Sequence, residues 1–387
     1  MCVGGIRTTA ERTIDENGVG IDMTDVSIAD PEITVAERDA VVDVLDSGQL
    51  AAGDVVRAFE AEFADYCEAD HGIATVNGTA ALHAALEAIG IEAGSGVVTT
   101  PFSFVATANA IRFAGGYPVF ADIDPETFNL DPSAVEEILR EYGDDIDAIV
   151  VVHLYGLPAE MDRFLEIAEA YDVALIEDAA QAHGAAYRGD PVGSIGDVGC
   201  FSFYPTKNMT SGEGGMITTD RDDIAERAAQ FIDHGRGEET YAHPTIGHNY
   251  RMTDLAAAIG REQLAKLPSF VDARRANADV LNDALSGSSV TTPIEGDDRR
   301  HAYHQYTIKT DRREAIQRAL AERGVDTAVY YPTCIHELGC YDSIDASVPT
   351  AERTADRVLS LPVHPNVEDH QLHEIGETVT AANSVEV

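Results

Sequence analysis

Lysine is almost missing from this 387-residue chain, which carries Lys207, Lys266 and Lys309 and no others. Positive charge is scarce throughout: 68 Asp and Glu stand against 26 Lys and Arg, for a formal net charge of −42. A surface so acidic repels phosphate backbones and anionic lipid, so nucleic-acid and membrane-surface roles are disfavoured. Tryptophan is absent, and the five cysteines (Cys2, Cys67, Cys200, Cys334, Cys340) show no CxxC spacing. An odd, scattered set argues for reduced thiols and against a disulfide framework. No run of about 18 apolar residues occurs, and Met1 to Asp22 is polar and acidic, unlike a signal peptide. The expectation is a soluble, cytoplasmic protein. The 13 histidines lack HExxH or comparable ligand spacing, so no metal site is expected.

What is present begins with the acid itself, which is dispersed in pieces such as "EYGDDIDA" and "IEGDDRR" and reads as a solvated shell. Together with the preference for Arg over Lys, this bias resembles that of proteins from salt-loving microbes. At 1 M salt the Debye length shrinks to about 3 Å, which makes such charge density tolerable there and destabilising in dilute buffer. Apolar residues make up 44% of the chain, ample for a sizeable core, and the length suggests two domains.

Residues 1–24 show little periodicity and read as a loose extension, with Met23 a candidate start. From Thr34, "TVAERDAVVDVLDSG" predicts a helix stopped by Ser47-Gly48, and "VVRAFEAEFADYCEA" predicts another. "NGTAALHAALEAIG" reads as a turn, a helix and a glycine stop at Gly90, and "GVVTTP" as a buried strand. "DAIVVVHLYG" and "VALIEDAA" are continuous apolar runs separated by the helical "AEMDRFLEIAEAYD", the pattern of parallel strands covered on both faces. "GCFSFY" and "GGMITT" predict two more strands flanking Lys207. After Leu267 the texture changes: a helix from Pro268, strand "HQYTIKT", helix "RREAIQRALAERG" and strand "DTAVYY". The expected division is a large α/β domain with a mostly parallel sheet over 25–267 and a smaller α/β domain over 268–387.

Ligands of open α/β sheets bind beyond the carboxyl ends of the strands, so the residues just after each strand carry the functional reading. Asp178 follows "VALIE", where a carboxylate can hold a ring nitrogen protonated, as pyridoxal phosphate needs to act as an electron sink; a helix N-cap is the alternative. Lys207 follows "GCFSFY". A free lysine has a pKa of about 10.4, but a desolvated amine can fall far enough to form a Schiff base. A solvated surface lysine is the ordinary alternative, and this chain has nearly eliminated those. Gly78 and Thr79 open a helix and offer amides and a hydroxyl to an anion, with Ser202 a second hydroxyl. Phe104 is a candidate to stack on a cofactor ring, and Gln181 to reach its phenolic oxygen.

The order and content of "SGQLAAG", "NGTAALHAALEAIGI", "FSFVATANAI", "VHLYGLPAEMD", "IEDAAQAHGA", "GCFSFYPTKNMTSGEGGMITT" and "GHNYRMTDLAAAIG" resemble the DegT/DnrJ/EryC1/StrS sugar-aminotransferase family. The likeness runs from about Val26 to Pro365 and implies the fold type I architecture with pyridoxal 5'-phosphate as cofactor. It implies that Lys207 carries the cofactor as an imine and then shuttles the proton, with Asp178 on the ring nitrogen, Gln181 near the phenolic oxygen and Phe104 over the ring. Gly78, Thr79 and Ser202 would hold the phosphate, joined by Asn249 from a neighbouring subunit, which implies a homodimer with shared sites. The resemblance further implies amino transfer from L-glutamate or glutamine to a nucleotide-linked keto sugar. Relatives that dehydrate sugars have histidine where Lys207 stands, and the family's usual acidic residue is missing from the turn "GSGVV". A regulatory member that binds cofactor without turnover, and a cyclitol or aminohydroxybenzoate aminotransferase, are the competing readings. Arg236, Arg251 and His336 are candidates for meeting an anionic nucleotide.

Overall fold

The structure, a computed structural model, describes residues 25–384 except 238 and 240; the expected extension over 1–24 lies outside the described residues. Strands β1 (His71–Thr75), β2 (Gly96–Thr99), β3 (Tyr117–Phe120), β4 (Ile146–Val152) and β5 (Ala174–Asp178) come first. A small hairpin, β6 (Ala186–Tyr187) and β7 (Asp190–Pro191), then precedes β8 (Val198–Ser202) and β9 (Gly215–Thr219). Seven of these build one sheet in the order β1-β9-β8-β5-β4-β2-β3. Only β9 runs against its neighbours, so β1, β8, β5, β4 and β2 present their carboxyl ends at one edge.

The apolar runs become strands because both faces are covered. On one face Leu82, Ala85 and Leu86 of the helix Gly78–Ile89 pack against Val150, Ile176 and Cys200. On the other, Phe164 of the helix Met161–Tyr171 packs with Ile149, Val151 and Leu175. Successive residues of a strand point to opposite faces, so alternate members of one run serve two cores. Gly90, in the left-handed region at φ 105°, ends the first helix where the sequence places its stop.

The helix expected to start at Pro268 starts instead at Asp254, where Thr253 accepts from the Ala256 N–H, and runs to Leu285 with Pro268 inside it. A proline reads as a helix start because it cannot donate to the preceding turn. Here buried Leu264, Leu267, Phe270 and Val271 on either side hold the helix through the interruption, and the expected domain boundary falls within one continuous rod. Beyond it, β10 (Arg299–Arg300) pairs with β6, and β11 (Tyr306–Lys309) pairs antiparallel with β12 (Val358–Leu361). Tyr306, Ile308, Leu359 and Leu361 share a core with Leu281, Ile316 and Leu372. Val26, expected in the large domain, joins this C-terminal core; its N–H donates to Gly324 O at 2.8 Å. The expected strand "DTAVYY" reduces to one bridge between Ala328 and Ser360, beyond which Tyr330 and Tyr331 turn toward the sheet edge. Among the described residues no helix is long and apolar enough to cross a membrane.

Candidate active site

Asp178 and Cys200 are register partners on β5 and β8, so the ends of these strands bring Asp178 beside the turn that carries Lys207. That turn is pinned from several sides. Phe203 N–H donates to Gly214 O at 2.8 Å, Ser211 N–H to Phe203 O at 3.1 Å, and Asn208 Nδ2 to Ala302 O at 2.9 Å. Lys207 itself is half-buried, and burial lowers its amine to about 8 against the opposing pull of the Asp178 carboxylate. An amine near 8 is partly neutral at physiological pH and able to attack a carbonyl.

Asp178 is buried, and burial pushes its carboxyl up while Thr107, the Ala180 N–H and Lys207 pull it down. Thr107 Oγ1 donates to Oδ2 at 2.7 Å and Ala180 N to Oδ1 at 3.2 Å. The residues after Asp178 form turns, not a helix, so the N-cap alternative does not describe it. A carboxylate so placed suits a cationic ring nitrogen, which would return the partner its burial withholds.

The anion cradle is built by close approach. Asn77 caps the helix Gly78–Ile89 by accepting from Ala80 N–H at 2.9 Å, which leaves the Gly78 and Thr79 amides outside that capping bond. A side chain at Gly78 would put its Cβ 2.7 Å from Ser202 Cβ, so only glycine lets the helix N-terminus and the Ser202 hydroxyl sit side by side. Gly215 plays the matching part across the sheet, where a Cβ would lie 2.6 Å from the Asn77 carbonyl. A dipole end, two amides and two hydroxyls make a site for a phosphate.

Gln181 is buried and bridges two tyrosines: its Oε1 accepts from Tyr155 N–H at 2.7 Å and its Nε2 donates to Tyr331 Oη at 3.0 Å. Phe104 is 57% exposed, with its ring 6.2 Å from that of Tyr331, a free aromatic face at the mouth of the pocket. The residues present therefore fit pyridoxal 5'-phosphate: an amine at about 8, a buried carboxylate, a phosphate cradle and an aromatic face at one sheet edge.

The remaining candidates have contacts of their own. Arg251 and Arg236 both turn to Asp233, at 2.5 Å and 3.3 Å, as arginines on an acidic surface do. His336 lies 3.3 Å from Glu352 with its ring 6.3 Å from that of Phe120. Asn249 is exposed, on a segment whose next carbonyl, of Tyr250, accepts from Val76 N–H at 2.7 Å. His183, which the sequence leaves without a role, is packed between Phe201 and Phe203 and lowered by burial to about 3, hence neutral. Sequence reasoning misses Thr107, Tyr155 and Tyr331. Thr107 lies three residues past Phe104 in "FSFVATANAI", where a hydroxyl within reach of a strand-end carboxylate is the available signal.

The chain is similar along most of its length to known proteins. The profile of the DegT/DnrJ/EryC1/StrS aminotransferase family matches residues 31–380. The chain is 40% identical over 344 residues to the "Pleiotropic regulatory protein" of Geobacillus stearothermophilus, covering 87% of this chain and 91% of that one. It is 36% identical to the UDP-N-acetyl-3-dehydro-alpha-D-glucosamine 3-aminotransferase of Acidithiobacillus ferrooxidans, covering 87% and 90%. Its fold matches the crystal structure of Streptomyces venezuelae DesV in complex with a ketimine intermediate, with a TM-score of 0.86, 36% identity and coverage of 90% and 95%.

Proposed function

The chain belongs to the DegT/DnrJ/EryC1/StrS aminotransferase family, and from that premise we propose that it moves an amino group from L-glutamate or glutamine to a nucleotide-linked keto sugar in amino-sugar or surface-glycan synthesis. The observation that carries this reading is the pairing at the strand ends: half-buried Lys207, its amine lowered to about 8, beside the buried carboxylate of Asp178. Pyridoxal 5'-phosphate, when bound, supplies an electron sink for the carbon that loses or gains the amine.

The chain's own residues do the rest. The Gly78 and Thr79 amides and the Ser202 hydroxyl hold the phosphate. Asp178 keeps the ring nitrogen protonated, fixed in turn by Thr107. Lys207 Nζ takes a proton from the donor carbon and returns it one position away, which requires an amine that titrates near working pH. Phe104 covers the ring face and limits water there.

Asn249 is proposed to act in a second copy of the chain, completing its phosphate site. Two features support a homodimer: Asn249 is exposed, and the helix Val35–Ser47 leaves Val35, Val42 and Leu45 exposed beside Leu50. An apolar patch of this kind marks an interaction surface. Relatives named for UDP-, dTDP- and GDP-linked sugars support a nucleotide sugar as acceptor.

The deciding experiment offers a panel of nucleoside-diphosphate 3-keto and 4-keto sugars with glutamate in high salt, read by mass spectrometry. Amination of one sugar is expected; failure across the panel with formation of 2-oxoglutarate from glutamate would move the acceptor to a cyclitol or related ring. The likeness to a regulatory protein favours one second reading, a cofactor-binding member without turnover. The intact set of Lys207, Asp178 and Gln181 weighs against it, and a half-reaction with glutamate alone separates the two.

A further inference from the structure

We propose that the Tyr331 hydroxyl is a second donor in this pocket, holding the phenolic oxygen of pyridoxal 5'-phosphate alongside Gln181; the proposal rests on the cofactor reading above. The orientation of the Gln181 amide carries the argument. A backbone N–H can only donate, so the Tyr155 N–H, 2.7 Å away, identifies the Gln181 oxygen. Tyr155 makes that bond from a left-handed backbone, φ 58°, a conformation unfavourable for a non-glycine residue that persists where surrounding structure enforces it. The amide nitrogen must then face the other way, and it lies 3.0 Å from Tyr331 Oη.

An amide nitrogen can only donate as well, so the Tyr331 oxygen is the acceptor and its own hydrogen is left for another group. Among the described residues none accepts it. The nearby carboxylate, Asp178, takes Thr107 on Oδ2 and Ala180 N–H on Oδ1 and makes no hydrogen bond with Tyr331. The phenol stands where a ligand would meet it, its ring 6.2 Å from Phe104 and 6.5 Å from Phe102. Burial pushes the Tyr331 hydroxyl well above its ordinary range, so it stays protonated and remains a donor at any working pH. Tyr155, Gln181 and Tyr331 thus form a series of donors, each polarising the next, that ends in an unspent O–H.

A donor facing the phenolic oxygen favours that oxygen's anionic form and lowers the pH at which the bound cofactor changes colour. The first measurement reduces the wild-type protein loaded with pyridoxal 5'-phosphate with borohydride and maps the adduct to Lys207 by peptide mass. Absence of that adduct would fell the cofactor reading itself. With the adduct found, the visible absorption of unreduced holoenzyme is titrated for wild type, Tyr331→Phe and Tyr330→Phe. Tyr331→Phe is expected to raise the midpoint by about one pH unit, a tenfold change in the proton equilibrium, and to speed cofactor release. Tyr330→Phe, which alters the neighbouring ring without touching the donor series, should leave it in place. A Tyr331→Phe midpoint within about 0.2 pH unit of wild type, or an equal rise in both variants, would overturn the proposal.

Discussion

Two of the three lysines sit in opposite electrical surroundings, and the contrast separates chemistry from stability in this protein. Lys266 lies on the helix Asp254–Leu285 and donates to Glu37 Oε1 at 2.7 Å and Thr34 Oγ1 at 2.9 Å, which clips the helix Val35–Ser47 in position. Burial alone would raise the Glu37 carboxyl, yet hydrogen bonds from Lys266, Thr34 and Gln263 bring it down to about 2. At Lys207 burial is not so answered: the amine falls to about 8, and its partner Asp178 is raised. A paired charge holds structure; a charge deprived of water and of a bonded partner is ready to react. Lys309 serves a third purpose, donating to Pro125 O at 2.9 Å with its ammonium 5.5 Å from the Phe128 ring centre. None of the three is the loose surface lysine that the composition has otherwise discarded.

The comparison breaks first at Lys207. Lys207→Ala should cost turnover at least about 10²–10⁴-fold and abolish borohydride fixation of cofactor, with the melting temperature little changed; residual activity near wild type would show that another amine does the work. Next in size is salt. With a net charge of −42, moving from molar salt to dilute buffer should collapse the melting transition, and a melting temperature indifferent to salt would contradict the reading of the acidic shell.

Glu37→Gln sharpens the contrast from the other side. Loss of a charge-assisted bond to Lys266 should cost about 2 kcal/mol of stability while leaving the cofactor spectrum alone. The acid limb of the stability curve follows from the same carboxyl. Its pKa is lowered in the fold, so its contribution is complete above about 4.5 and drains away as pH falls toward about 2; denaturant titrations over that window should flatten in Glu37→Gln. Smallest is Lys309→Met, expected to cost about 0.5–1 kcal/mol through the lost ring contact, with no change in catalysis or spectrum.

Much of the site was legible because it obeys a local rule: apolar strand, then polar residue at its carboxyl end. Asp178, Gln181, Ser202 and Lys207 all follow that rule, and Gly78 and Thr79 follow the equally local rule of a helix start. Tyr331 obeys neither. Its position depends on the Ala328–Ser360 bridge and on the hydroxyl of Tyr155 reaching the Tyr330 carbonyl, partnerships 32 and 175 residues apart in sequence. Pro268 misled for a related reason, since the burial that carries the helix through it comes from tertiary neighbours. The antiparallel setting of β9 was likewise invisible in "GGMITT", whose apolar residues suit either direction.

The helix Asp254–Leu285 has a mechanical meaning. At 32 residues it is about 48 Å long, and it shares buried residues with both the sheet side, through Leu264, Leu267 and Val271, and the C-terminal core, through Ala278, Leu281 and Leu285. One helix seated in both cores ties the chain beyond it to the sheet, with burial on either side of Pro268 holding the two halves in line. Tyr330 and Tyr331 lie in the chain beyond the helix, and Tyr331 is tied back to the sheet side by the hydrogen bond from Gln181.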